Sequence, residues 1–249
     1  MGTSSSRAGN HSNTGGNWTA AKRTTSRWVG GSGGSVGGAA SAFARAARRG
    51  SGSGAGGGGG GGAVAVIGSA LAGVIQSIAA NGLEQTLRDE GLEHLIGRSP
   101  EEVLAGLSDH ICGHGSGLDD AAARAALLDV IAEVFSDEET NSYEELQEAW
   151  DGEMDGANLV QLLELFLSQY IVEKFLSELG DCFDKPEVNS DIASQKERDV
   201  VDFIRSMVSL ELGNLNVMQF DWKSSEAQAI IDRNLEAAMR QIEAINDED

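Results

Sequence analysis

The stretch "HICGH" places His110, Cys112 and His114 within five residues. Imidazole and thiolate side chains at such short spacing are the chemistry of zinc. A structural zinc site needs four ligands, and only His11, His94 and Cys182 are left to complete one. The spacing fits no established zinc pattern. A helix ending at Gly113 accounts for the same letters, with both histidines beside its C-terminus and the loop "GHGSG" after it. The expectation is no metal. In "DGEMDG" Asp151, Glu153 and Asp155 alternate like the first ligands of a calcium loop, and Gly156 follows. The position that needs a bidentate Glu is Leu162, so this reads as an acidic loop. The run Gly56–Gly62 is not followed by Lys and Ser or Thr, so it is no phosphate-binding loop. No Gly-x-Ser-x-Gly occurs, and Cys, His and acid do not combine into a nucleophile set. The many carboxylates fall on helix faces, where solvation is their ordinary role. The expectation is a non-enzymatic protein without a cofactor.

Another reactive group stands at the start of the chain, "MGTSSSRAGNHSNTGGNWTAAKRTTSRWVGG". Removal of the initiator methionine would expose Gly2, whose lack of a side chain leaves its α-amine accessible. An α-amine has a pKa of roughly 7.7–8, so a useful neutral fraction exists near pH 7, whereas a lysine stays protonated. A cut further along would expose Gly30 or Gly31 instead. Trp18 and Trp28 are candidates for docking into a protein pocket, since Trp is enriched among interface hot spots. Arginines and tryptophans could also meet phosphates and bases, but the acidic remainder of the chain would repel a polyanion. No direct nucleic-acid binding is expected.

The elements that would carry these residues divide in two. From Met1 to Leu83 there is no Asp or Glu, and seven basic residues give +7. All 39 acidic residues and the other 11 basic ones follow, for −28. Such a basic arm either touches its own acidic body or is presented to a partner. Twenty of the 33 glycines precede Ala63. Glycine loses the most backbone freedom on folding, and the arm has few side chains to offset that loss. Residues 1–62 therefore read as a disordered Gly/Ser-rich basic tail and linker, unfolded to about Gly34, with a short helix over 36–49. The seven-glycine run would span roughly 15 Å root-mean-square. Two cysteines make no disulfide framework and no apolar signal core is visible, so a cytoplasmic setting is expected.

Residues 63–249 read as one acidic all-α domain, a helical bundle. Ala63–Ala80 is uncharged, but its inserting residues sum to only about −2 to −4 kcal/mol on a membrane-insertion scale. Its stripe of Val64, Ile67, Leu71, Val74 and Ile78 alternates spacings of three and four, as in a core helix rather than a membrane span. Leu83–Leu95 continues as helix. Ser99, Pro100, Glu101 and Glu102 form a helix start. Leu118–Phe135 presents Leu127, Leu128 and Ile131 to the core. Ser142 and Glu145, and Ser225 and Gln228, look like capping boxes. Leu159–Leu179 is apolar nearly all round and belongs at the centre of a bundle. Val200–Leu212 reads as helix. Ile231, Leu235, Ala238, Ile242 and Ile245 form the seam of a last one. "NVMQFDW" reads as a turn anchored by Phe220 and Trp222 more than as a strand.

Several stretches together resemble one known family: "MGTSSS", the Gly-rich tail with its tryptophans, "SVGGAASAFARAARRGSGSGAGG", "AVAVIGSALAGVIQSIAANGLEQTLRD" and the acidic helical body. They look like the QatB family of the Qat anti-phage defence system. The resemblance implies a non-enzymatic subunit acting with an ATPase, a TatD-like nuclease and an enzyme similar to 7-cyano-7-deazaguanine synthase. That enzyme class activates a carboxylate with ATP and couples it to an amine. The tail, through Gly2, Gly30 or Gly31 with Trp18 and Trp28 nearby, would be its substrate or docking handle. The alternative is an acidic all-helical interaction scaffold with an unmodified tail.

Overall fold

The computed structural model describes residues 18–51, 62–113, 118–136, 141–153, 156–186, 188–213 and 215–245. Among them the chain is all-α, with ten helices and no strand. These are α1 (Trp18–Val29), α2 (Val36–Ser51), α3 (Gly62–Asn81), α4 (Leu83–Asp89), α5 (Pro100–Cys112), α6 (Leu118–Ser136), α7 (Tyr143–Glu153), α8 (Gly156–Leu179), α9 (Ser190–Met207) and α10 (Ser225–Glu243). Gly56–Gly61 and the calls on residues 1–17 lie outside the described residues.

Two helices form the centre. The stripe Val64, Ile67, Leu71, Val74 and Ile78 of α3 is buried, and so are Ala65 and Ala72 on its other side. By length and composition α3 could cross a membrane; its burial among α4, α6, α8 and α10 gives the hydrophobic face a protein partner instead. Gly68 makes close packing possible: a Cβ there would lie 3.1 Å from Phe166 and 3.3 Å from Ile231. The second central helix, α8, buries Leu159, Leu163, Phe166, Leu167, Tyr170, Ile171 and Phe175. Apolar residues right around a helix require neighbours on every side. Here α1, α3, α6 and α9 supply them.

Local signals set the helix ends. The Ser99 hydroxyl accepts from the Glu102 N–H while the Glu102 carboxylate accepts from the Ser99 N–H, a complete capping box. Ser142 accepts from the Glu145 N–H. The cap of α10 is Ser224, one residue before the expected one, and accepts from the Ala227 N–H at 3.2 Å. The expected helix over 83–95 stops at Asp89, because Gly91 (φ +73°) takes the left-handed position. The Leu92 N–H then reaches back to the Leu87 carbonyl at 2.7 Å, as in a Schellman motif. Glu93–Leu95 resumes as a single 3-10 turn.

Helix α9 ends at Met207, so the expected helix over 200–212 is also corrected. The backbone beyond it is held by side-chain acceptors. Glu164 accepts from the Leu210 N–H at 2.9 Å, and buried Asn234 accepts from the Glu211 N–H at 2.7 Å. "NVMQFDW" forms turns, with Trp222 buried and its indole N–H donating to the Val217 carbonyl at 2.8 Å. Leu128, expected inside, is 47% exposed.

The larger correction concerns residues 18–29, expected unfolded and found as α1; the short helix expected over 36–49 is present as α2, and both share the core of the acidic body. Ala39, Ala40, Phe43, Ala44 and Ala46 of α2 are buried, facing α9 and α10. The basic end of α2 meets the acidic end of α10. Arg45 lies 3.6 Å from Glu243, Arg48 pairs with Glu243, and Ser41 donates to the Glu243 carbonyl at 2.9 Å. The seven basic residues of the arm are thus partly matched by the body's own carboxylates. Glycine content hid this, because a few well-placed apolar side chains suffice to seat a short helix on an existing core.

Candidate functional site

The residues singled out near the N-terminus converge on α1. Trp18 and Trp28 stand at its two ends, about 15 Å apart along the axis at the usual helical rise. The Trp18 ring packs on Phe43 (centroids 6.1 Å apart), Phe43 on Phe175 (5.3 Å), Phe175 on Phe183 (6.4 Å) and Phe183 on Trp28 (6.2 Å). A chain of aromatic rings from α2, α8 and the turn after it thus joins the two tryptophans. Trp28 is 5% exposed, and the Lys196 ammonium sits 4.8 Å from its ring centroid, a cation–π contact. Trp18 is half-buried. As seated here, Trp28 is a core residue of its own chain rather than a free docking side chain.

Polar contacts tie α1 to the turn after α8. Lys22 lies 3.9 Å from Asp181, Lys185 donates to the Ser26 hydroxyl at 2.8 Å, and the Cys182 thiol faces the Lys22 carbonyl at 3.6 Å. "GGSGG" follows the helix. Gly31, at φ +66°, is the left-handed residue of a Schellman motif: the Ser32 N–H bonds the Arg27 carbonyl at 2.9 Å and the Gly31 N–H bonds Trp28 at 3.2 Å. Gly30 and Gly31 are exposed, but the second has a conformational reason to be glycine. Gly2 lies outside the described residues, 15 residues before the asparagine that precedes Trp18.

The other candidate residues have structural partners. His110 meets the Glu90 carboxylate at 3.0 Å, and Lys223 reaches its other oxygen at 2.9 Å. Burial alone would raise the Glu90 carboxyl. The hydrogen bonds from Lys223 and His110 outweigh it and hold the group below the usual Glu range. Cys112 is buried and its thiol is pushed up by desolvation, which disfavours the thiolate a metal needs. His114 lies outside the described residues, and among those described no three His, Cys, Asp or Glu side chains are grouped to hold a metal. Asp151, first residue of the supposed calcium loop, accepts instead from the Leu83 N–H at 2.8 Å and caps α4 from α7. Gly82, at φ +82°, brings the backbone close enough for that contact; a Cβ there would sit 3.1 Å from the carboxylate.

One cluster was not visible in the sequence. The Gln169 amide of α8 donates to Asp129 of α6 at 2.8 Å, and Glu173 lies one turn on. Desolvation first, then the charge of Asp129 and a hydrogen bond with it, raises the Glu173 carboxyl. The i, i+4 spacing of Gln169 and Glu173 was legible. Their meeting with Asp129, 40 residues earlier, was not.

A family model described as the Qat anti-phage system associated protein QatB matches residues 37–242. This chain belongs to the QatB family. The match begins within α2 and runs almost to the end of α10, so it crosses the glycine run and covers the shared core. Family membership places the chain in the Qat anti-phage system, with other Qat proteins as its partners. Helix α1 and the leader before it lie outside the matched residues. No curated protein and no solved structure matches the chain.

Proposed function

We propose that this QatB-family chain is a non-enzymatic subunit whose N-terminal leader is a substrate or docking handle for a partner similar to 7-cyano-7-deazaguanine synthase, in the cytoplasm. The observation that carries the reading is the contrast at Trp18. A helix clamped at both ends by tryptophans stands behind 17 residues with no acid and almost nothing apolar. Such a segment, fully extended, reaches at most about 60 Å from its anchor. An enzyme could take it up without touching the helical body. The chemistry follows from the α-amine. Its nitrogen attacks an activated acyl carbon, the activating group leaves, the nitrogen gives up a proton, and an amide remains.

The geometry favours Gly2 over Gly30 and Gly31 as the acceptor. A cut at Gly30 or Gly31 would sever the covalent tie of α1, and with it Trp28 from the core. A cut or modification at the start of the chain leaves every buried contact in place. The test is intact mass with N-terminal peptide mapping, on protein expressed alone and with its neighbouring genes. A mass gain or truncation confined to the leader, only on co-expression, supports the handle. A mass unchanged beyond methionine removal overturns it, and leaves the chain as an acidic interaction scaffold.

A further inference from the structure

Helix α1 combines three features that ease its release from the bundle. Its intrinsic helical tendency is poor. In "WTAAKRTTSRWV" three threonines, one valine, one serine and two tryptophans all rank below the good helix formers. Twelve residues are also too few for a stable isolated helix. Its middle is weakly seated. Between the end tryptophans only Ala21 and Thr25 are fully inside, and the Thr25 hydroxyl is buried without a hydrogen-bond partner. Its C-terminal side is a hinge. Gly31, Gly33 and Gly34 have φ of +66°, +114° and +99°, three left-handed glycines within four residues.

Charge adds to this. The helix carries Lys22, Arg23 and Arg27 and no acid, yet two of the side chains that contact it are Lys185 and Lys196. Among the described residues its one ion pair, with Asp181, is long and 90% exposed on the acid side. What holds α1 is therefore apolar packing concentrated at its ends, Trp18 on Phe43 and Trp28 on Phe183 with Val29 buried beside it, together with Ala21 against the core.

We infer that α1 is a two-point clasp that folds when it docks, and that its release frees the chain up to Gly34 as a longer arm. The inference rests on the handle reading for its purpose, but not for its physics. Docked, α1 anchors the chain from Trp18 onward to the bundle. Undocked, it loses its helix, because twelve residues of poor average helical tendency do not hold one alone, even with the cap at Gly31. The length of chain ahead of the first anchored helix then doubles, from 17 residues to 34, and its greatest possible span grows from about 60 Å to about 120 Å. Helix α2 loses its packing against α1 on release but keeps its contacts with α9 and α10, which hold it on the bundle. The clasp would let one subunit present its N-terminus at two reaches.

Hydrogen exchange by mass spectrometry on the full chain tests this, with α2 and α8 as internal references. The expected result is that amides in 21–29 exchange at least a hundredfold faster than those in 39–47 and 162–175. Trp28→Ala should bring 21–29 to the rate of an unfolded peptide while the two reference segments change less than threefold. Thr25→Val, which removes the unpartnered hydroxyl and keeps the shape, should slow exchange in 21–29, on the order of tenfold. Equal protection of α1 and α2, or Trp28→Ala raising exchange in all helices together, overturns the clasp. So does Thr25→Val with unchanged or faster exchange. Intact mass on co-expression separates the two proposals. Fast exchange with an unmodified leader removes the handle alone; a modified leader with slow exchange removes the clasp alone.

Discussion

Phe43→Ala tests whether α2 belongs to the body. The ring is 1% exposed and contacts Trp18 and, beyond the glycine run in sequence, Phe175. Truncating a fully buried Phe costs about 3–5 kcal/mol through lost transfer energy and the cavity left behind. The edge-on contact with Phe175, at 5.3 Å, favours the upper part of that range, about 4 kcal/mol. For a chain of this size that lowers Tm by about 8–16 °C. Urea unfolding followed by far-UV circular dichroism and by tryptophan fluorescence would read it, with an unchanged m-value. Phe43→Leu, which keeps most of the volume, should cost less than about 1.5 kcal/mol. A loss below about 1 kcal/mol for Phe43→Ala would refute the shared core. So would two separate transitions, with α2 melting before the body.

Asp151→Ala should destabilise the protein by about 0.5–2 kcal/mol, because the α4 N-terminus loses its acceptor, and Asp151→Asn should restore most of this in the same urea titration. Glu173→Gln should stabilise the protein at pH 7. The folded state raises this carboxyl, so its contribution to stability falls as pH climbs from the unfolded Glu value of about 4.3 through the raised folded one. The gain should vanish below about pH 4, where wild type and variant are both neutral, and a variant less stable than wild type at pH 7 would show that Glu173 makes a favourable charged contact.

Local chemistry made most of the helices legible. Ser99 with Glu102, the stripe of α3 and the all-round apolar surface of α8 each carry their structure within a dozen or so residues. What failed was averaging. The glycines around α1 masked the spacing of Trp18, Ala21, Thr25 and Trp28, which is itself a helical stripe. Sequence also gave no view of contacts between distant segments. Asp151 caps a helix 68 residues earlier, and Ser41 bonds the backbone 202 residues later. Such partners decide where α4 starts and where the arm ends, and no local window contains both members. Trp18 and Trp28 likewise pack on rings from distant segments, Phe43 and Phe183.

The seat of α2 on α10 has a consequence for the protein while it is being made. The contacts of Ser41, Arg45 and Arg48 need Glu243, at the far end of the described chain. At ordinary synthesis rates of about 5–20 residues per second, some 200 further residues take roughly 10–40 s to follow. Throughout that interval α2 lacks the part of its landing surface that α10 provides. The N-terminal segment is then at its most open on the ribosome, before the last helix emerges to close the bundle over it.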